Sequence, residues 1–350
     1  AARLTVAKVN RERVSALDLS REFYRLYYYR TSFGGLKAED LDALRSQALD
    51  SLVEQAIILD AAKSAGLKPN QEQVEAAYRA ETAYFKNEQE FVQAMAGWAY
   101  TPKTYKQELG KRQLIDKYPL YANPVEVTED DVNAEFERAQ KTNPQLTLDE
   151  ARESIEKVVR ARKEKEARDS LLAELREKAK IKIIDSQVLA YRAMQDERFD
   201  EAVKLYRKAI KQSPEDPYLQ VSLGIALAAA GKGDDSKAAF EKAVKLRADD
   251  RFILLAQADS LKEAGEADAA ADVYRHAAQV AGEDIFAHGL ILEAFEELGL
   301  EEDVQAQKAK IDTLQKALIE RYEAQQKAAE AGEPEAAQPD DVEDAGASQE

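Results

Sequence analysis

Three octapeptides repeat one pattern at a spacing of 34 residues: AVKLYRKA at residues 202–209, SKAAFEKA at residues 236–243 and AADVYRHA at residues 270–277. In each, an aromatic ring is followed three residues later by an alanine, a distance that places both side chains on one face of a helix. The rings are Tyr206, Phe240 and Tyr274, and the alanines are Ala209, Ala243 and Ala277. A period of this length predicts stacked helix pairs, with the ring filling the gap between successive pairs.

The same phase continues outside the octapeptides. The loop after the first helix of each pair carries Glu197, Gly231, Gly265 and Gly299 in successive copies. Small residues recur where the paired helices approach most closely, at Ala190, Gly224 and Ala258. These positions resemble those of tetratricopeptide repeats, which implies an α-solenoid of about three and a half repeats over residues 185–327. Residues 301–327 are predicted to form a capping helix that covers the last repeat.

The resemblance also implies a concave surface lined by the first helices of the repeats. Its candidate binding residues are Tyr191, Tyr218, Val221, Ile225, Phe252 and Leu255. The last four of these are predicted to form an exposed apolar strip, and such a strip commonly marks a protein-binding site. Repeats that bind a C-terminal carboxylate use basic and Asn side chains on this surface. The matching early positions here are Gln187, Tyr191, Val221 and Ile225, so we do not expect carboxylate binding.

The first half of the chain has the pattern of helices closed by two short strands. Residues 4–9 are partly β-branched and favour a strand, and residues 181–184 favour a second strand that we expect to pair with it. Ser15 and Thr101 are N-cap residues that begin helices. Residues 148–180 contain no Gly or Pro, which predicts a single helix of about 50 Å. The predicted fold class is therefore all-α with at most a minor two-strand element.

Four segments, in this order, resemble the SurA-like chaperones, a group associated with parvulin isomerases. They are VAKVNRERVSALDL at residues 6–19, ALDSLVEQAIILDAAKSAGLKPNQEQVEAAY at residues 48–78, TPKTYKQELGKRQLIDKY at residues 101–118 and VTEDDVNAEFE at residues 127–137. The helix and strand over residues 148–184 resemble the closing element of this family. The resemblance implies a helical chaperone domain over residues 1–184. One departure is Arg11, because the family often has Gly in the turn after the first strand.

A parvulin isomerase domain is missing from this arrangement. Only about 20 residues separate the segment that normally precedes it from the closing helix, whereas a domain needs around 100. The only two histidines, His276 and His288, fall in the repeats, whereas a parvulin active site holds a histidine pair. We expect both histidines to be packed or on the surface. The resemblance therefore implies a chaperone body without isomerase activity, and we predict that the protein is not an enzyme and has no catalytic residue.

Aromatic side chains are concentrated in the N-terminal part. Three consecutive tyrosines in the helix after Ser15 span about 200° of its circumference, so one core cannot bury all three. The candidate client-binding residues are Tyr24, Tyr27, Tyr28, Tyr29, Tyr84, Phe85 and Trp98. Aromatic rings give a large contact area with adaptable polar tips, which suits the recognition of extended apolar segments. Core packing and contact between copies of the chain are the alternative explanation.

Composition excludes several classes of function. The 350 residues include 67 acidic and 50 basic side chains, a net charge of −17, so nucleic acid is not an expected partner. The absence of cysteine excludes disulfides and thiolate metal sites, and no nucleotide-binding or metalloprotease motif occurs. We therefore predict no cofactor and no metal. No apolar run reaches the roughly 18 residues that a membrane helix needs. Residues 328–350 are acidic and are predicted to be a disordered tail, either solubilising or a docking peptide.

These features favour a non-enzymatic periplasmic chaperone or assembly factor that binds unfolded or exported polypeptides. The repeats would supply a second protein-binding surface. The alternative is a structural adaptor in an envelope secretion or assembly complex. The predicted domains are residues 1–184, 185–327 and 328–350. Because the sequence starts at Ala1 without Met, we expect a leader to have been removed, as in an exported protein.

Overall fold

The computed structural model describes residues 4–32 and 35–330, and in that part of the chain it contains three short strands and fifteen helices. The strands are β1 (Thr5–Val9), β2 (Glu12–Ser15) and β3 (Ile181–Ile183). The first nine helices are α1 (Ala16–Thr31), α2 (Asp40–Ser64), α3 (Gln71–Thr82), α4 (Glu88–Gly97), α5 (Pro102–Ala122), α6 (Glu129–Thr142), α7 (Leu148–Lys178), α8 (Ser186–Gln195) and α9 (Phe199–Gln212). The remaining six are α10 (Pro217–Ala229), α11 (Gly233–Leu246), α12 (Arg251–Glu263), α13 (Ala267–Val280), α14 (Ile285–Leu298) and α15 (Glu301–Glu330).

The all-α class is confirmed. Residues 331–350, which make up most of the predicted acidic tail, lie outside the described residues. The chain divides into two compact units, Ala1–Pro214 and Glu215–Glu350, called here the N-terminal and the C-terminal unit. The first predicted repeat, α8 and α9, thus belongs to the N-terminal unit. The domain boundary that the sequence predicts after residue 184 stays a prediction.

The small sheet brings the start of the chain together with the end of the long helix α7. Its central strand is β1, and β3 runs antiparallel to it with Ala7 opposite Ile183 and Val9 opposite Ile181, so the predicted pairing of these two segments is confirmed. The sheet has one strand more than predicted, because β2 folds back on the other side of β1 with Val9 opposite Glu12. In the sequence, the segment ERVS at residues 12–15 indicated only the helix N-cap at Ser15 and no strand.

Asn10 explains how the hairpin forms without the glycine that the SurA-like family often has. Its φ of 51° lies in the left-handed region, which Asn tolerates better than most residues. Its Nδ2 donates to Oδ2 of Asp60 at 2.9 Å, and its Oδ1 accepts from the backbone N–H of Lys180 at 2.8 Å. The turn therefore needs no glycine at Arg11, and it ties α2 and the end of α7 to the sheet.

The N-terminal core draws on segments that are far apart in sequence. Its buried residues include Val6, Val9 and Val14 of the hairpin, Leu49, Val53 and Ile57 of α2, and Val188 of α8. Burial of each such aliphatic side chain contributes about 1.5–3 kcal/mol. The first repeat is also tied to α2 by hydrogen bonds, since Asp42 accepts from the Tyr206 hydroxyl at 2.6 Å and from Nε2 of Gln187 at 2.7 Å.

The C-terminal unit follows the predicted repeat phase. A Cβ on Gly224 would lie 2.8 Å from the ring of Phe240, so only glycine permits this approach of α10 and α11. Phe240 and Tyr274 are fully buried at the ring positions. The loop positions adopt left-handed φ in every copy, with 72° at Gly231 and 58° at Glu197 of the first copy in the N-terminal unit. Helix α15 packs along α14, as expected for a capping helix.

Candidate functional site

A cleft of about 550 Å³ opens in the N-terminal unit between β2 and helices α1, α2, α4 and α5, with Arg168 of α7 on its wall. Its floor is apolar and is formed by Val14, Leu52, Ala56, Leu59 and Ile115. Its walls hold six basic residues, Arg13, Arg21, Arg25, Lys111, Arg112 and Arg168, and five acidic ones, Glu12, Asp18, Glu22, Glu108 and Asp116. An apolar concavity with a few placed polar groups is the usual form of a binding site.

Helix α1 supplies the central part of the charged wall. Asp18, Arg21, Glu22 and Arg25 are spaced by three and four residues and therefore share one face of the helix. Ser15 starts the helix with a capping box: its Oγ accepts from the N–H of Asp18 at 3.1 Å, and the carboxylate of Asp18 accepts from the N–H of Ser15 at 3.3 Å. The cap fixes the first turn and with it the direction of these side chains.

Arg21 holds the junction between α4 and α5 against this wall. Its Nε donates to the carbonyl oxygen of Trp98 and its Nη2 to that of Ala99, both at 2.8 Å. Its guanidinium carbon also lies 3.5 Å from the ring centroid of Tyr100. Ala99 has a left-handed φ of 55°, which costs an L-residue about 1–2 kcal/mol. Arg21 offsets this strain and positions Trp98 at the rim of the cleft.

An aromatic patch, formed by Tyr24, Tyr28 and Trp98, adjoins the cleft. The Tyr28 and Trp98 rings meet edge to face with centroids 6.3 Å apart, and Tyr24 and Tyr28 are also 6.3 Å apart. All three rings are exposed, with 54% of Tyr28 accessible to solvent. Trp98 belongs to both the patch and the cleft. Tyr29, the next residue along α1, is exposed as well.

Of the other predicted client-binding residues, one contacts the patch and two lie elsewhere. Tyr27 is half-buried and stacks on Phe23, with ring centroids 6.2 Å apart, and its ring also lies 5.8 Å from that of Tyr28 and 6.5 Å from that of Tyr24. Phe85 is half-buried and packs against a hydrophobic cluster, 5.2 Å from Phe91. Tyr84 is fully exposed in the turn after α3 and has no ring contact within the described chain. The structure thus brings together the rings of four of the seven predicted residues, Tyr24, Tyr27, Tyr28 and Trp98.

Electrostatics keep the wall of the cleft charged. Both carboxylate oxygens of Glu22 accept hydrogen bonds from Arg25, at 2.6 and 2.8 Å. Burial raises the pKa of Glu22, but the hydrogen bond and charge of Arg25, together with Ser51 and Arg112, outweigh burial and lower the pKa below its usual 4.5. Tyr105 is held as a protonated donor, since burial and a hydrogen bond to the carboxylate of Glu81 raise its pKa to about 12.

The charged wall was not predicted from the sequence. The helical spacing of its residues was visible, but charged residues on a helix surface are usually just solvated. What distinguishes Arg21 is its bonding to two backbone carbonyl groups that lie 77 and 78 residues away in the sequence. No local pattern encodes that contact, so only the folded chain reveals it.

The predicted apolar strip of the repeat groove does not form. Val221 and Leu255 are buried, with 1% and 5% of their surfaces exposed. The two residues occupy the same position 34 residues apart, on the neighbouring first helices α10 and α12, which pack side by side. Leu255 is part of the core that includes Phe295. This position stabilises the stacking of the repeats and offers little surface to a partner.

The remaining groove residues are partly accessible. In the C-terminal unit, Ile225 and Phe252 are half-buried, and the hydroxyl of the half-buried Tyr218 donates to Oδ2 of Asp250 at 2.7 Å. In the N-terminal unit, Tyr191 is half-buried on α8. Each unit therefore presents some of the predicted groove residues, with less exposed apolar surface than the sequence suggested.

Both histidines lie near polar groups of neighbouring residues. His288 is buried, with Nδ1 2.9 Å from Oε1 of Gln307 and Nε2 3.2 Å from the carbonyl oxygen of Gly282. His276 is exposed, and its Nε2 lies 3.9 Å from Asp249. Over residues 4–32 and 35–330, no three His, Asp or Glu side chains are arranged to hold a metal ion. Within the same ranges, no helix combines the length and the apolar character needed to cross a membrane.

Comparison with solved structures finds tetratricopeptide proteins that match part of this chain. Examples are the TPR2B-domain:pHsp70 complex of yeast Sti1 (18% identity, 32% of this chain, 94% of that chain, TM-score 0.28), the MamA RS-1 ArsTM double mutant (21%, 37%, 72%, 0.31) and the Sgt2 TPR domain from Aspergillus fumigatus (17%, 45%, 87%, 0.25). All three TM-scores are below 0.5. A comparison with curated proteins gives no match.

Family profiles match two regions of the chain. The profile of the SurA-like N-terminal domain matches residues 1–119, and the tetratricopeptide repeat profile matches residues 193–259, so both sequence resemblances are confirmed. Neither matched domain is catalytic, and tetratricopeptide repeats are protein-interaction modules. The chain therefore carries a SurA-like N-terminal domain at residues 1–119, followed by a tetratricopeptide repeat region at residues 193–259.

Proposed function

We propose that this protein is a non-enzymatic periplasmic chaperone or assembly factor, and that its N-terminal unit binds unfolded or exported polypeptides across the cleft and the aromatic patch. The observation that carries the proposal is the continuity of these two surfaces at Trp98, which lines the cleft and contacts Tyr28. An extended client segment could place an apolar side chain on the cleft floor and others against the exposed rings.

The charges of the cleft fit a binder of many sequences. Although the chain as a whole carries −17, the cleft wall is nearly balanced, with six basic and five acidic side chains. Arg13, Asp116 and Arg168 make no hydrogen bond or ion pair within the described residues, so they are available to a client's polar groups. Because contacts of this kind are individually weak, release would follow from client folding or transfer to a partner and would not require ATP.

The test is suppression of client aggregation by the full chain. A denatured outer-membrane barrel protein is diluted into buffer, and light scattering is followed at near-stoichiometric chaperone without ATP. We expect suppression by the wild type and loss of at least half of it in the double variant Tyr28→Ser, Trp98→Ser. Tyr121→Ser is the matched control, since Tyr121 is an exposed ring of the same unit outside the cleft. Circular dichroism establishes that each variant is folded.

Two outcomes would contradict the proposal. If the folded double variant suppresses aggregation as well as the control, the patch is not the client site. If the wild type leaves aggregation unchanged and crosslinking in cells recovers one stoichiometric folded partner, the protein is the structural adaptor that the sequence also allowed. Moderate salt should change suppression little, because the contacts are mainly apolar.

The periplasmic location is part of the same proposal. It is supported by the SurA-like domain, because SurA-like chaperones act on exported chains. Osmotic shock of cells that express the native gene should release the protein with periplasmic markers. Retention with cytoplasmic markers would contradict this location.

The repeats are proposed as a second protein-binding surface. The repeat match indicates a protein-interaction role, and Ile225 and Phe252 are the partly accessible apolar residues of the predicted groove in the C-terminal unit. The guanidinium of Arg251 lies 4.4 Å from the centroid of the Phe252 ring, which gives this surface a charged edge. Its partner would be a protein other than the unfolded client, for example the receiving component of an envelope complex.

A further inference from the structure

The C-terminal half of α15 carries apolar side chains that are largely exposed in the described part of the chain. In the first half of this helix, Val304 and Leu314 are buried against α14. Further along, Leu318, Ile319 and Tyr322 are the exposed apolar residues, each with more than half of its surface accessible. The spacing of these residues by one, three and four places them on adjoining positions of one helix face.

Five charged residues, Asp312, Lys316, Glu320, Glu323 and Lys327, are spaced by four, four, three and four residues, so they follow one edge of the helix. Apart from Glu320 at the centre, the other four stand in a symmetric order. None of the four makes a hydrogen bond or ion pair in the part of the chain that the structure describes. The pair Asp312 and Lys327 and the pair Lys316 and Glu323 have opposite signs, and both pairs are centred between residues 319 and 320.

We propose that this face binds the same face of a second copy of the chain, in an antiparallel pair of α15 helices related by a twofold axis near Ile319. In such a pair, Lys316 lies opposite the partner's Glu323, and Asp312 opposite the partner's Lys327. Each ion pair occurs twice because the interface is isologous. Leu318 meets the partner's Tyr322, and the two copies of Ile319 meet at the axis, so the exposed apolar residues are covered.

The charge order selects this occupant and this orientation. In antiparallel helices, the same edge of each helix faces the other, so the four charges meet their own set in reverse order, while Glu320, beside the axis, lies near its own copy and weakens the pair. In a parallel pair, that edge would face the opposite edge, where Arg321 is already bonded to Glu283 at 2.7 Å. The overlap from Asp312 to Lys327 is about 22 Å long, and it covers the part of α15 that follows Leu314, the last buried residue of this helix in the described chain.

The contact is small, so we expect a dimer that dissociates on dilution. A standard stable interface buries about 1,600 Å² in total, and three apolar residues per copy fall well short of that. Sedimentation velocity of the full chain should therefore show a shift from monomer to dimer as the concentration rises to about 500 µM. A monomer throughout this range would overturn the proposal.

Ile319→Glu tests the axis, because it places two carboxylates against each other. We expect the dimer to be lost at all concentrations reached with the wild type. Val158→Glu is the matched control, since Val158 is also an exposed aliphatic residue on a long helix, with 54% accessible compared with 57% for Ile319. Equal dimerisation of both variants, or loss of the dimer in both, would contradict the proposed interface.

Exchange of the two charges distinguishes the specific helix pair from non-specific association. Lys316→Glu alone and Glu323→Lys alone should each weaken dimerisation about tenfold, because each places like charges opposite one another twice. The double variant Lys316→Glu, Glu323→Lys restores both ion pairs and should regain wild-type dimerisation. Failure of the double variant to recover would rule out this register, whatever its effect on the apolar contact.

Cysteine crosslinking fixes the direction, and the chain has no native cysteine to interfere. A mixture of chains carrying Asp312→Cys and chains carrying Lys327→Cys should form a disulfide between the two kinds of chain. Neither variant alone should crosslink to itself. Self-crosslinking of Asp312→Cys without crosslinking in the mixture would indicate a parallel pair and overturn the proposal. Crosslinking of a different protein in the native envelope at these positions, with a monomeric pure protein, would assign the face to that partner instead.

Discussion

The N-terminal and the C-terminal unit bury their cores by different routes. The N-terminal core joins Val6 of β1 to Leu49 of α2 and to Val188 of α8, residues that are up to about 180 positions apart. In the C-terminal unit, the core between Leu254 and Val304 is built from consecutive helices. Long-range contacts form only when the whole unit closes, whereas neighbouring helix pairs stabilise each other locally.

The same difference explains what each unit leaves on its surface. In the N-terminal unit, β2, α1, α2 and α5 converge from distant parts of the chain and leave a cleft where they do not fill the space between them. In the repeats, a ring such as Phe240 fills the gap against Gly224, so the interior is closed. The repeats then expose apolar residues mainly where the stack ends, on α15.

Removal of an aromatic ring from a repeat should give the largest difference in stability change between the two units. Phe240→Ala creates a cavity in a fully buried site and should destabilise the C-terminal unit by about 3–5 kcal/mol. The effect should stay within the repeats. Trp98, the only tryptophan, reports the N-terminal unit, so its fluorescence transition in urea should be unchanged while the circular dichroism transition of the helices moves to lower urea.

Leu49→Ala is the matched control in the other unit. It should lower the free energy of unfolding followed by Trp98 fluorescence by about 2–5 kcal/mol, because Leu49 lies fully buried in the long-range core. If Phe240→Ala shifts the Trp98 transition as much as Leu49→Ala does, the units unfold together and the contrast between local and long-range stabilisation is wrong.

Most of the fold could be predicted because its signals are local or periodic. The 34-residue phase identified the ring, alanine and loop positions, including Glu197 in place of glycine, and all of these positions behave alike in the structure. The pairing of residues 4–9 with residues 181–184 followed from two short β-branched segments and the family resemblance. In each case one segment carries its own physical constraint, such as a left-handed turn or a close approach.

The functional surface was less predictable because it depends on contacts between segments. Phe85 and Tyr28 have similar sequence surroundings, but Phe85 packs on Phe91 whereas Tyr28 remains exposed beside Trp98. Val221 matched the groove pattern but is covered by the stacking of neighbouring first helices. Helical spacing assigns a residue to a face, and only the packing of the next element decides whether that face is open.

The repeat loops allow one position to be compared in both units. Glu197 pays the cost of a left-handed conformation, so Glu197→Gly should stabilise the N-terminal unit by about 0.5–1 kcal/mol after the entropy of glycine is included. Gly231→Ala should destabilise the C-terminal unit by about 1 kcal/mol, because no atom lies near its Cβ position and only the backbone conformation is affected. Urea titrations that show both variants changing stability in the same direction would contradict the equivalence of the two loops.

The smallest effect is expected at low pH, from Glu22 in the cleft wall of the N-terminal unit. The pKa of Glu22 in the folded protein lies below its usual 4.5 because Arg25 outweighs burial. A depressed pKa contributes stability that is complete above about pH 4.5 and is lost as the pH falls through the folded value. Without Arg25, burial is opposed only by Ser51 and Arg112, so the pKa of Glu22 is less depressed and its carboxylate stabilises the folded state less at neutral pH.

Arg25→Gln should therefore lower the stability of the N-terminal unit at pH 7 and flatten its decline between about pH 5 and pH 3. Urea titrations followed by Trp98 fluorescence at several pH values measure both quantities. Arg138→Gln is the control: it removes an equivalent pair three residues from Glu135, but Arg162 is the main cause of the lowered pKa of Glu135 and remains in place. A decline of unchanged slope in Arg25→Gln would mean that the pair at the cleft wall does not set the acid sensitivity of this unit.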